Sequence, residues 1–82
     1  MSNEEILSVL RELVAEQFAK EPEEITPDTA FEGDLGADSV DLVEVSLALE
    51  DEFGLDEIPE EDIASIVTVG DLYRYMQEHL DL

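Results

Sequence analysis

Residues 36–41 read Gly-Ala-Asp-Ser-Val-Asp, which sets Ser39 between Asp38 and Asp41 just behind a glycine. A serine hydroxyl attacks as a nucleophile only when a base within hydrogen-bond reach takes its proton. The chain has one histidine, His79, near its C-terminus, where it suits the negative end of a helix better than a triad. It has no cysteine, so thiolate nucleophiles, disulfides and thiolate zinc sites are all excluded. None of the four glycines has both acids where an EF-hand loop needs them, so no specific metal site is expected. Carboxylates are abundant, yet nothing points to a cleft that would split a pair into acid and base roles. The chain has no persuasive apparatus for an enzyme acting alone, and Asp38-Ser39 taken by itself reads as a helix N-cap.

The elements that would carry Ser39 follow from periodicity. Ile6, Leu7, Leu10, Leu13, Val14 and Phe18 recur at three- and four-residue steps and predict a helix over 3–19, capped by Ser2 or Asn3. Pro22, Pro27, Gly33 and Gly36 then break the pattern, leaving a long first loop that Ile25, Phe31 and Leu35 could pack. Over 39–53, Leu42, Val45, Leu49 and Phe53 share one helical face, the core face. Val40 and Leu47 fall nearly opposite, with Glu44 and Asp51 beside them and Ser39 at the start. Singly exposed aliphatics are ordinary, but here they lie beside acids and a free hydroxyl, and the set reads as a docking surface. Gly54 suits a C-cap, Pro59 the first position of a short helix to about Ser65, and Thr68 the cap of a last helix carrying Val69, Leu72, Tyr73, Tyr75, Met76 and Leu80. The expectation is one all-α domain over 1–82, a small four-helix bundle of three principal helices and one short one.

Charge limits the company it can keep. Twenty-four acids against three bases give a net charge of −21 at pH 7, and no base lies between Lys20 and Arg74. Nucleic acid and anionic lipid would be repelled, whereas basic protein patches would be drawn in quickly and in a salt-sensitive way. No apolar run approaches the length of a membrane span, and the first residues lack a signal peptide's character. A soluble, monomeric, cytoplasmic chain is expected, although an organellar chain already stripped of its transit peptide would look the same.

The run DLGADSVDLVEVSLALEDEF, from Asp34 to Phe53, closely resembles the modification-site region of acyl carrier proteins, whose motif is D-S-L within D-L-G-A-D-S-L-D. Ile58-Pro59 and the run TVGDLYRYM at 68–76 resemble that family's later helices, so the likeness covers nearly the whole chain. It implies that a phosphopantetheinyl transferase joins 4′-phosphopantetheine to Ser39, and that acyl groups ride on the arm's thiol as thioesters for fatty-acid or related lipid or polyketide biosynthesis. Asp38, Val40, Asp41, Glu44, Leu47 and Asp51 would then face acyl-processing enzymes with basic patches. Leu42, Val45, Leu49, Ile58, Ile63, Ile66, Leu72 and Tyr75 would line an acyl pocket, a role that ordinary core packing explains equally well. This chain departs from the family pattern at Val40, where leucine is commoner, at Leu42, where threonine is frequent, and in an FGLDEIP segment one residue longer. A specialised aminoacyl or peptidyl carrier, or an acidic helical adaptor with no prosthetic group, are the alternatives.

Overall fold

The computed structural model describes residues 2–80. Helix α1 spans Asn3–Gln17, α2 Phe31–Leu35, α3 Ser39–Phe53, α4 Glu60–Ala64 and α5 Val69–His79, with a 3-10 turn at Pro22–Glu24. Three long helices and the short α4 were expected from periodicity. Helix α2 and the 3-10 turn, both inside the long first loop, were not.

Each long helix starts on the same device. Ser2, Asp38 and Thr68 each accept the amide of the residue three ahead, and the acid there, Glu5, Asp41 or Asp71, accepts back. Two N-terminal amides are satisfied at once, and an acid sits at the positive end of the dipole. Helix α1 ends two residues before the expected Ala19. Ala19 takes a left-handed φ of 55°, and the Lys20 amide closes on the Ala15 carbonyl at 2.8 Å, a Schellman termination built without the usual glycine. Gly54 does end α3 in the left-handed region, at φ 64°.

Short helix α4 corrects one placement. Pro59 is its N-cap, with ψ 145°, and its carbonyl receives the amides of Asp62 and Ile63. The helix therefore begins at Glu60, one residue later than the proline suggested.

The core runs between α1, α3 and α5. Ile6, Leu10, Val14, Leu49, Val69 and Met76 are fully buried, and Val45 and Leu72 nearly so. The long loop joins this core through Ile25 and Phe31, each 1% exposed. Its polar groups are also accounted for, as buried backbone requires. Arg11 of α1 donates to the carbonyls of Ile25 and Pro22, at 3.1 and 3.0 Å. At the entrance to α5, Gly70 donates to Pro27 O, Val69 to Thr29 O, and Phe31 to Val67 O, around an antiparallel bridge between Ala30 and Thr68. One of the three bases is thus spent inside the fold, on the loop that leads to Ser39.

Candidate functional site

Gly36 sets the geometry before Ser39. It ends α2 at φ 66°, a left-handed conformation that glycine adopts without strain. The turn buries Ala37, whose amide donates to Phe31 O at 2.9 Å. Asp38 is then extended, and its Oδ1 accepts the Asp41 amide at 2.9 Å while Asp41 Oδ2 accepts the Asp38 amide at 3.2 Å.

Capping is thus done by Asp38, and Ser39 becomes the first residue of α3 with its side chain exposed. Among the described residues its hydroxyl has no hydrogen-bond partner, and no base attends it. His79 is engaged at the far end of α5, with Nδ1 2.8 Å from the Tyr75 carbonyl and its ring stacked on Tyr75. A group attached to Ser39 would meet the opening amides of α3, which have no carbonyl in a preceding turn and favour negative charge. Chemically, the position suits a phosphodiester tether and offers nothing for catalysis.

Open grooves flank Ser39 on both sides. One, of about 430 Å³, is lined by Val40, Leu42, Val43, Glu60, Ile63 and Ala64. The other, of about 410 Å³, runs past Phe31, Glu32, Asp38, Ile66 and Val67. Leu42 borders both, and it also borders an interior cavity of about 10 Å³. Seven of the eight residues named from the sequence as pocket liners surround that cavity: Leu42, Val45, Leu49, Ile58, Ile63, Ile66 and Leu72, joined by Phe31 and Ser46. Tyr75 is not on its wall. Its hydroxyl instead donates to Asp62 Oδ2 at 2.8 Å.

Along α3 the outward aliphatics Val40 and Leu47 are 62% and 56% exposed. Val43, 41% exposed, joins them. Its place three residues after Val40 and four before Leu47 is the signal that sequence reasoning passed over. Asp38, Glu44 and Asp51 are exposed around this stripe, and Glu44 is held by Gln17 Nε2 of α1 at 2.7 Å. Asp41 differs from them: it is half-buried and committed to the cap.

The family of phosphopantetheine attachment sites matches this chain over residues 8–76. The acyl carrier protein of Lactobacillus acidophilus is 48% identical over 79 residues, which cover 96% of this chain and 98% of that one. This chain belongs to the acyl carrier protein family. A solved acyl carrier protein from Enterococcus faecalis superposes with a TM-score of 0.80 at 35% identity, covering 96% of this carrier and 99% of that chain. The carrier therefore has the family's all-helical fold and is a non-catalytic protein that holds acyl groups on a phosphopantetheine arm. When bound, that arm supplies the thiol that a chain without cysteine lacks. Among the described residues, no helix is long and apolar enough to cross a membrane.

Proposed function

We propose that Ser39 is the residue to which 4′-phosphopantetheine is joined, and that residues 1–82 act as one monomeric, cytoplasmic carrier for fatty-acid or related lipid or polyketide synthesis. The observation that carries this reading is the division of labour at the start of α3. Asp38 satisfies the helix end, leaving the adjacent hydroxyl exposed, unbonded among the described residues and beside two grooves. The attacking base is supplied by the phosphopantetheinyl transferase, so none is needed in the carrier.

Asp38, Val40, Asp41, Glu44, Leu47 and Asp51 form the face offered to that transferase and to acyl-processing enzymes. Its acids steer basic patches toward Ser39, and the aliphatic stripe supplies short-range contact once water is expelled. Asp41 contributes its charge from a capped position, whereas Asp51 and Glu44, the latter bonded to Gln17 through Oε2 alone, stay exposed for direct pairs. Leu42, Val45, Leu49, Ile58, Ile63, Ile66 and Leu72 receive the acyl chain, with Leu42 between the surface grooves and the interior. Tyr75 acts behind this lining rather than in it.

The test is intact mass after incubation with coenzyme A, Mg²⁺ and a phosphopantetheinyl transferase. The wild type gains one arm and Ser39→Ala gains none. An arm found on Ser39→Ala would refute the assignment.

A further inference from the structure

The interior cavity, at about 10 Å³, is at the lower limit for a single water molecule. No acyl chain enters unless a wall moves. The long helices present fully buried side chains to the core, whereas α4 has five residues and not one of them is buried. Of the walls around the cavity, α4 is the one least anchored by burial.

What holds α4 in place can be counted from its polar links. Between Ile58 and Ile66, most hydrogen bonds among the described residues close within the segment: Asp62 and Ile63 on Pro59 O, Ser65 on Asp62 O, and Ile66 on Ile63 O. Two reach outside. The Ile58 amide donates to Glu50 Oε2 of α3 at 3.2 Å, on the approach to the helix. The other comes from α5, where the Tyr75 hydroxyl donates to Asp62 Oδ2 at 2.8 Å. Tyr75 is itself braced, its ring stacked on His79 with centroids 3.9 Å apart. Burial, and then the neighbouring Asp62 carboxylate, push its hydroxyl up to about 12, so it remains a donor at every physiological pH.

We infer that the Tyr75–Asp62 hydrogen bond is a latch that holds α4 against α5 and sets how readily the interior opens to an acyl chain. This rests on the reading that the interior receives that chain. Because the latch is made with α4 closed and is lost when α4 swings out, it opposes chain entry. A hydrogen bond of this kind is worth about 1 kcal/mol net, which is about fivefold in the opening equilibrium.

Tyr75→Phe removes the hydroxyl and keeps the ring. In the apo protein, exchange of the Ile58 amide, whose bond crosses to Glu50 of α3, should quicken about fivefold, with Leu10 and Leu49 changed less. Asp62→Ala should do the same, and the double variant should go no further than either single one. On the loaded protein, hydroxylamine cleavage of an octanoyl thioester should be slower than that of an acetyl thioester, and slower still in Tyr75→Phe. Exchange that rises equally throughout, or additive single variants, would overturn the latch. So would octanoyl protection that Tyr75→Phe leaves unchanged. Equal cleavage of octanoyl and acetyl thioesters in the wild type would instead sink the reading of the interior, and the latch with it.

Discussion

Replacing Gly70 by alanine opposes two effects of different sign, and the structure decides between them. Gly70 is the second residue of α5, inside a helix, where alanine is ordinarily favoured by up to about 1 kcal/mol. A Cβ at this position, however, would lie 2.9 Å from Pro27 O and 3.4 Å from Pro27 Cβ. The first contact is with backbone and is closer than carbon and oxygen tolerate, so the loop must retreat. Retreat breaks the bond from Gly70 N to Pro27 O and loosens the one from Val69 N to Thr29 O, both 2.9 Å. Two backbone bonds at about 1 kcal/mol each, plus residual crowding, cost about 2–3 kcal/mol. The net is a loss of about 1–2 kcal/mol. For a chain of this size each 1 kcal/mol moves Tm by about 4–8 °C, so Gly70→Ala should melt roughly 4–16 °C lower by circular dichroism. Loading of Ser39, judged by intact mass, should persist, because the Asp38–Asp41 cap is local to α3. A Tm that rises would show helix propensity prevailing and would refute the claim that α5 is lashed to the loop through this contact.

Ala19→Gly should act oppositely. Relief of the left-handed strain, about 1–2 kcal/mol, outweighs the added freedom of the unfolded chain, and Tm should rise by a few degrees. Asp71→Ala removes the acceptor for the Val67 and Thr68 amides and should cost about 1–2 kcal/mol in urea melts. Those amides, aided by Arg74, hold the Asp71 carboxyl below its ordinary 3.8. Its contribution is therefore complete above that value and lost as pH falls through the lowered one, so the two proteins should converge in acid. Tyr75, raised by burial and Asp62, contributes fully below the ordinary 10 and loses its contribution as pH rises through about 12. Ultraviolet titration in a Tyr73→Phe background should show that late ionisation; a midpoint near 10 would remove the Asp62 contact. Glu44→Lys should weaken transferase binding about tenfold at low salt with α3 intact by circular dichroism, and the deficit should shrink as salt rises. Unchanged binding would remove the acids of α3 from the docking face.

The parts legible in the sequence are those governed by local rules. Asp38, Ser39 and Asp41 announce a helix start because a capping box needs only its own residues, and the structure places α3 at Ser39–Phe53, as the periodicity requires. The proposed attachment role of Ser39 was also local, because the resemblance that implies it is carried by the contiguous run Asp34 to Phe53. Helix α2 escaped because it is five residues long with Gly33 inside it, and because what keeps it helical is burial of Phe31 against partners distant in sequence. Tyr75 escaped for the opposite reason. Its position marks it as an apolar residue of α5, and only the arrival of Asp62 from α4 turns its hydroxyl outward from the cavity it was expected to line. The same distinction separates the roles of the acids on α3. Asp41 and Glu44 look equivalent in sequence, yet one is spent on the Asp38 amide and the other is steadied by Gln17 from α1 while staying exposed. On the proposed reading, in which Ser39 bears the arm, both kinds have a use: Asp41, turned inward, keeps that hydroxyl at a fixed helix end, and Glu44 and Asp51, turned outward, would draw basic enzymes to it.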